Sequence, residues 1–216
     1  MYQKIIEEIK QNSEPKFAEW LRPFLSIKKD SSEILLGVRV PILRKLAKKY
    51  KNIEIDDLKQ LLVSDIHESR SLAVFIMILK AKKEAQKVCE LYLDNLGYIN
   101  NWDLIDYSAP HIVAPNTDIK TLRVLADSNY LWANRVAMIS TIYFIKQGDF
   151  TLALEFAEKF ISHKHHLMHK AAGWMLREIG KKDVEVLKQF LEKYSAKMPS
   201  VMRSYASERL RKYTSC

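Results

Sequence analysis

The segment NNWDLIDYSAP, residues 100–110, holds two residue types that stabilise positive charge. Trp102 and Asp106 are four positions apart, a spacing that places an indole and a carboxylate on one face of a helix. An aromatic face attracts cations through its quadrupole, and a fixed carboxylate does so through its charge. Asp103 is explained by the positive end of the dipole of a helix capped by Asn100 or Asn101. Asp106 lies a turn deeper, beside a large ring, and is therefore the candidate functional residue.

The charge of the chain favours a polyanionic partner. Thirty-five Lys and Arg against 26 Asp and Glu give a net charge of +9. This excess is typical of proteins that bind nucleic acid, although solvation alone also explains it. A chain of 216 residues can bury a substantial core, and we expect one domain spanning residues 1–216.

Three features bear on the cellular compartment. Cys89 and Cys216 show no paired or metal-type spacing, which favours free thiols in a reducing cytoplasm. The segment MYQKIIEEIKQNSEPKF is amphipathic and charged, unlike a signal peptide. There is no run of about 18 apolar residues, the length that a membrane span needs. We expect a cytoplasmic protein without a membrane contact.

Apolar residues recur at intervals of three and four almost throughout, which predicts an all-α protein. Asp149 and Asp183 directly precede two apolar stretches and are expected to begin helices. The short connections favour antiparallel packing of neighbouring helices. The predicted helices span residues 2–11, 15–27, 41–50, 55–63, 67–81, 84–95, 100–113, 118–127, 131–146, 150–161, 166–179, 183–194 and 199–212.

Alternate helices repeat one pattern, a basic residue followed by small and apolar ones. It begins at Arg70, Arg135, Lys170 and Arg203, at intervals of 65, 35 and 33 residues. The first interval is close to two of the others, so the missing unit begins near Trp102. A period in the thirties made of two helices is typical of an α-solenoid of HEAT-like antiparallel helix pairs.

The repeat predicts that four residues face a common groove. Trp102 and Arg135 occupy equivalent phases of successive units, whereas Asp106 and Trp174 lie one helical turn further along in theirs. Equivalent positions of a solenoid line one continuous surface. This prediction depends on the repeat alone.

Several segments carry a resemblance to a known family. NNWDLIDYSAP, LWANRVAMIS, KAAGWMLREIGKKD and LGVRVPILRKLAKKY resemble the DNA alkylation repair family, the AlkD-like DNA glycosylases. The resemblance runs from the second helix to the end, with the pieces in the family's order. It implies a HEAT-like all-α fold whose basic concave face cradles duplex DNA. It also implies hydrolysis of the N-glycosidic bond of positively charged alkylated purines, chiefly 7-methylguanine and 3-methyladenine.

The resemblance assigns the chemistry to three residues. Asp106 matches the catalytic carboxylate, and Trp102 and Trp174 match the indoles that flank the lesion nucleotide. This chain has Asn101 directly before Trp102, where family members often carry a second Trp, a difference that concerns the shape of the pocket. No metal or other cofactor is required, and we expect a monomer without an obligate protein partner.

The resemblance also assigns contacts with the DNA backbone. Arg135 matches the arginine that holds the backbone near the lesion, and Arg177 would support it. Arg39 and Pro41, in the segment GVRVP, would press on the duplex from the opposite strand. An arginine fork suits this task because it binds phosphate through two parallel hydrogen bonds.

Structural alternatives exist for each of these residues. Trp102 and Trp174 are also compatible with core aromatics, and Asp106 with a structural ion pair to an arginine such as Arg135. The alternative function is a non-catalytic HEAT-like module that binds nucleic acid or protein. A third possibility is a protein-binding scaffold whose positive charge is incidental.

A histidine cluster at residues 163, 165, 166 and 169 requires a check for a metal site. His165 and His169 are i and i+4 neighbours, a spacing that zinc sites use. They lie at a predicted helix start with no cysteine nearby and no obvious acidic ligand. We therefore expect a solvated connector rather than a metal site.

Overall fold

The computed structural model describes residues 1–28 and 30–210 of the protein. Regular secondary structure in these ranges is helical, apart from one isolated bridge between Ile34 and Ile66. The predicted all-α class is therefore confirmed. Within the described ranges no helix is long and apolar enough to cross a membrane. Cys89 is a buried free thiol, whereas Cys216 and the predicted helix end at 211–212 lie outside the described residues.

The helices agree closely with the predicted ranges. They are α1 (Tyr2–Gln11), α2 (Pro15–Phe24), α3 (Val40–Lys49), α4 (Ile55–Leu62), α5 (His67–Lys80), α6 (Ala85–Asp94), α7 (Trp102–Ile112), α8 (Ile119–Asp127), α9 (Leu131–Ser140), α10 (Ile142–Lys146), α11 (Thr151–Lys159), α12 (His166–Lys182), α13 (Val184–Tyr194) and α14 (Ser200–Ala206).

The predicted helix 199–212 is too long, since α14 ends at Ala206. Two further predicted helices are wrong in a way that local chemistry explains. The predicted helix 131–146 is divided into α9 and α10 at Thr141, whose hydroxyl donates to the carbonyl of Met138 at 2.7 Å. This back-bonding competes with the helical ladder and tightens the turn. The predicted helix 15–27 ends at Phe24, because Pro23 lies in its last turn and Ser26 has φ 55°.

Aspartate side chains begin two helices as predicted. The Asp183 carboxylate accepts from the backbone N–H groups of Glu185 and Val186 at 3.0 and 3.1 Å. The Asp149 carboxylate accepts from the N–H of Thr151 at 2.9 Å. These bonds satisfy donors that a helix leaves without an internal partner.

The chain divides into two compact units, Met1–Asn116 and Thr117–Cys216. The prediction of one domain over residues 1–216 stays a prediction. In the first unit α5 is central, with every residue from His67 to Met77 buried. α5 and α7 run in the same direction, since His67 contacts Asp103 near both starts and Phe75 contacts Tyr107 further along.

The second unit shows the repeat most directly. α8 and α11 lie side by side in the same direction, because Arg123 pairs with Glu155 at 2.8 Å and Asp127 pairs with Lys159. Both pairs are 32 residues apart, which agrees with the predicted period in the thirties. α12 packs closely on α14 at Gly173, where a Cβ would lie 2.5 Å from the carbonyl oxygen of Met202.

Candidate functional site

Asn101 and Trp102, which precede the candidate carboxylate in the sequence, hold the start of α7 against the end of α2. Asn101 is the N-cap, since its Oδ1 accepts from the N–H of Trp102 at 2.8 Å, and its Nδ2 donates to the carbonyl of Leu25 at 2.9 Å. The indole Nε1 of Trp102 donates to the carbonyl of Phe24 at 3.1 Å. The predicted cap at Asn100 or Asn101 is thus made by Asn101.

Trp102 combines a packing role with partial exposure. Its ring lies against a buried cluster that includes Ala18, Leu25 and Leu35, while the residue as a whole is only partly buried. The indole N–H is satisfied by the backbone of α2. The orientation of the ring is therefore fixed in the free protein.

Asp106 lies one helical turn after Trp102 on α7 and is partly buried. Its neighbour Ile105 is fully buried, whereas Tyr107 is 42% exposed. The carboxylate lies close enough to Tyr92 to act on it electrostatically. Burial raises the pKa of Tyr92, and the negative charge of Asp106 raises it further against the effect of the hydrogen bond between Tyr92 and Ser108.

A network of buried and partly buried charges connects α5 to the first turn of α7. Nδ1 of His67 lies 2.7 Å from Oε1 of Glu33, and Nε2 lies 2.8 Å from Oδ2 of Asp103. The Arg70 guanidinium also binds Glu33 and donates to the carbonyl of Ser64 at 2.8 Å. Burial alone would lower the pKa of His67, but the charges and hydrogen bonds of Asp103 and Glu33 raise it to about 9.

Asp103 therefore does more than complement the helix dipole, and the sequence analysis missed its partner. His67 and Asp103 are 36 residues apart, and His67 and Glu33 are 34 apart. The i and i+4 rule reports neighbours within one helix, so such pairs have no local signal. Only the repeat, which places equivalent positions of successive units side by side, could have predicted that the starts of α5 and α7 lie close together.

A second buried carboxylate shapes the turn before α3. Glu68, 2% exposed, accepts from the backbone N–H groups of Leu36, Gly37 and Val38, the shortest bond being 2.6 Å to Gly37. Gly37 has φ +78°, and a Cβ there would lie 2.3 Å from the carbonyl oxygen of Glu14. This turn positions the segment GVRVP.

Arg39 and Pro41 lie at the exposed start of α3 in the first unit. The Arg39 guanidinium binds Glu14 through Nε and Nη2, both at 2.9 Å, and lies 4.2 Å from the ring centroid of Phe17. Pro41 occupies the first turn of α3, where its missing N–H costs nothing. Their contact with DNA stays a prediction.

Trp174 and Arg177 lie on α12 in the second unit, both partly buried. The indole Nε1 of Trp174 donates to Glu178 at 2.9 Å. The Arg177 guanidinium is paired with Glu208 and lies 3.8 Å from Glu178. Trp174 is thus held by a carboxylate of its own helix, and Arg177 by a carboxylate that follows α14.

Arg135 lies on α9 in the second unit and is 4% exposed. Its Nη1 donates to the carbonyl of Leu167 at 2.7 Å, a bond that connects α9 to the first turn of α12. Arg135 therefore has a structural contact in the second unit. The predicted common groove of Trp102, Asp106, Arg135 and Trp174 remains a prediction of the repeat.

The histidine cluster forms the start of α12. Nδ1 of His165 accepts from the N–H of Leu167 at 3.2 Å, and Nδ1 of His163 accepts from the N–H of His165 at 3.0 Å. Burial and neighbouring positive charges lower the pKa of His165. Across the described ranges no group of three or more metal-type ligands is brought together.

A groove of about 260 Å³ between α3, α5 and α7 was not predicted. Phe75 and Tyr107 stand in its wall with ring centroids 5.6 Å apart, and the Arg44 guanidinium lies 5.1 Å from the Tyr107 ring. Lys48 adds a second cation to the rim.

The repeated helices define an all-α repeat protein. Its candidate carboxylate lies near the start of α7. Residues 5–210 match the family model described as DNA alkylation repair enzyme, so the chain belongs to this family. The structure is similar to a protein from Enterococcus faecalis described as a "predicted DNA alkylation repair enzyme", with TM-score 0.68, 13% identity, and coverage of 92% of this chain and 97% of that chain.

A second similar structure is the X-ray crystal structure of AlkD2 from Streptococcus mutans. The TM-score is 0.57 at 18% identity, and the match covers 89% of this chain and 97% of that chain. At these identities both similarities concern the fold. Among curated protein sequences there is no significant match.

Proposed function

We propose that the protein is a monofunctional DNA glycosylase that hydrolyses the N-glycosidic bond of positively charged alkylated purines in double-stranded DNA. One observation carries the proposal: the partly buried carboxylate of Asp106 lies one turn into α7. The N-cap Asn101 and the first two residues of that helix, Trp102 and Asp103, each bind another element through a side chain. Such preorganisation is what electrostatic stabilisation of a transition state requires. Membership of the DNA alkylation repair family supports it.

The chemistry follows from the charge on the base. In 7-methylguanine or 3-methyladenine nucleotides the purine is cationic, so it leaves with the electron pair of the glycosidic bond as a neutral base. The deoxyribose becomes oxocarbenium-like, and a fixed carboxylate stabilises that charge. Asp106 would also orient the water whose oxygen bonds to the anomeric carbon and which then releases one proton to solvent. The indole faces of Trp102 and Trp174 would stabilise the cationic sugar through their quadrupoles.

The remaining candidates would bind the DNA backbone. Arg39 and Arg177 each pair with a glutamate in the free protein, Glu14 and Glu208. Phosphate binding would exchange one anionic partner for another, which requires little change in the desolvation of the guanidinium. Arg135 would contribute from its buried position on α9, and Pro41 would pack against the opposite strand.

The proposal is tested by incubating the protein with duplexes that carry 7-methylguanine, 3-methyladenine or an uncharged purine lesion. We expect release of the two cationic bases, no release of the neutral one, and an abasic strand that stays unbroken until treated with alkali. Salt-sensitive duplex binding without any base release would favour a non-catalytic nucleic-acid-binding module instead. No affinity for duplex at low salt would favour a protein-binding scaffold.

A further inference from the structure

The geometry around His67 sets its charge. Both ring nitrogens lie within hydrogen-bond distance of a carboxylate oxygen, 2.7 Å for Glu33 and 2.8 Å for Asp103. A neutral imidazole carries one N–H and therefore donates to only one of them. Two simultaneous donations require the imidazolium, and a residue that is 2% exposed has little water to replace a lost bond.

The two carboxylates differ in how far they depend on His67. Glu33, in the segment before α3, is also bound by Arg70. The second oxygen of Asp103, on α7, is buried and has no hydrogen-bond partner among the described residues. Glu68, the neighbour of His67 on α5, is occupied by the N–H groups of residues 36–38. His67 is thus the hydrogen-bond partner that connects Asp103 to the rest of the first unit.

The hydrogen bond between His67 and Asp103 lies close enough to Asp106 along α7 to affect the position of its carboxylate. Three residues correspond to about 4.5 Å along a helix axis, less than one turn. Asn101 and Trp102 hold the start of α7 against α2, whereas Asp103 holds it against α5. Losing the second connection would leave the first turn fixed on one side only.

We propose that His67 is a positioning residue, which as an imidazolium between Glu33 and Asp103 fixes the first turn of α7 and thereby the position of the Asp106 carboxylate. The proposal rests on the proposed function of Asp106 for its effect on rate. Its structural part, the ordering of α7, stands independently of that function. A consequence is that base release is lost in alkali, when His67 gives up its proton.

The first test is single-turnover release of 7-methylguanine between pH 6.5 and 9.5, with enzyme-free blanks and duplex binding measured at each pH. The wild-type rate should be flat near neutrality and fall as the pH passes about 9. His67→Gln should be roughly ten- to a hundredfold slower at pH 7, because small misplacements of a reacting group carry such costs. It should also lack the alkaline fall.

Two further variants sharpen this test. Asp103→Asn should move the alkaline fall to lower pH, because removing the carboxylate lowers the proton affinity of His67. Asp94→Asn, an exposed carboxylate at the end of α6, should behave like wild type. A His67→Gln enzyme with the wild-type rate and the wild-type pH profile would overturn the proposal.

The second test does not depend on activity. Amide hydrogen exchange at pH 7 should be faster in the first two turns of α7 in His67→Gln than in wild type, with α13 unchanged as the internal reference. Unchanged exchange in α7, or an equal loss of protection throughout the first unit, would overturn the positioning role. If the wild type releases no base, the proposed function fails while the exchange data still decide this inference. If His67→Gln does not fold, Asp103→Asn takes its place in both tests.

Discussion

Carboxylates with little exposure in the first unit bind groups of the protein rather than solvent. Glu68 gathers three consecutive N–H groups into one turn, and Glu33 and Asp103 enclose His67. A buried charge is tolerated where hydrogen bonds replace its hydration. These residues set the geometry in which Asp106 and the segment GVRVP are presented.

Glu68→Gln should destabilise the protein by about 1–3 kcal/mol, because the charge that binds the N–H groups of residues 36–38 is lost inside the core. Chemical denaturation at pH 7 measures the free energy of unfolding. Glu90→Gln is the matched control, since Glu90 is exposed on α6. Equal stabilities of the two variants would contradict the role of Glu68 in this turn.

Whether the role of a residue could be predicted depends on how far it lies in the sequence from its partner. Trp102 and Asp106 stand out because a spacing of four is visible in one helix. Glu33 and His67 do not, since their bonds connect positions more than 30 apart. Glu68 could not be predicted for the same reason, since its partners lie 30–32 positions earlier. These partners are also backbone N–H groups, which do not depend on residue type.

At the scale of the elements, the start of α12 is held by two histidines in their uncharged form. His163 and His165 accept hydrogen bonds through ring nitrogens that carry no proton, and protonation removes those acceptors. Their pKa values are lowered, chiefly by burial, so the folded state prefers the neutral rings. The first turn of α12 in turn receives the bond from Arg135 at Leu167.

The stability of the protein should therefore fall in mild acid. A histidine whose pKa is lower in the folded than in the unfolded state contributes stability above its unfolded pKa of about 6.5, and this is lost as the pH falls towards the folded value. We expect the difference in unfolding free energy between pH 7.5 and 5 to shrink in His165→Asn, because asparagine caps a helix without titrating in this range. Lys164→Asn, at an exposed position between the two histidines, should keep the wild-type difference.

The contact of α12 with α14 gives a second prediction for the elements. Gly173→Ala should cost about 1–3 kcal/mol, because its Cβ would lie 2.5 Å from the carbonyl of Met202 and 2.7 Å from Cβ of Tyr205. Gly97→Ala is the control, since a Cβ there meets nothing within 4 Å. Thermal unfolding of both variants would show the difference, and a Gly173→Ala protein as stable as Gly97→Ala would contradict this packing.

Helix positions were predictable because apolar periodicity reports which face is buried. Two helix ends were harder to predict. The end of α2 depends on a proline in its last turn, and the interruption at Thr141 depends on which carbonyl its hydroxyl binds. The period was detectable because alternate helices share a pattern of a basic residue followed by small and apolar ones, and the 32-residue ion pairs between α8 and α11 agree with it. Neighbouring repeats place chemically matched residues side by side.

For the whole molecule, the net charge of +9 predicts duplex binding that weakens steeply with salt. Arg39→Gln and Arg177→Gln should each reduce the slope of log Kd against log salt by about one unit if these residues bind phosphate. Arg123→Gln is the control, because Arg123 is an exposed arginine that is also paired with a glutamate, Glu155, and is not one of the assigned backbone contacts. Slopes that are equal in all three variants would contradict the assigned backbone contacts.

The most direct measurement compares 7-methylguanine release by wild type, Asp106→Asn and Asp94→Asn under single-turnover conditions, with duplex affinity measured for each. The asparagine at 106 keeps the size of the side chain and removes the charge that would stabilise the sugar cation. We expect release to fall by at least about a hundredfold in Asp106→Asn, with duplex affinity unchanged and Asp94→Asn equal to wild type. Release by Asp106→Asn at the wild-type rate would contradict the catalytic role of this carboxylate.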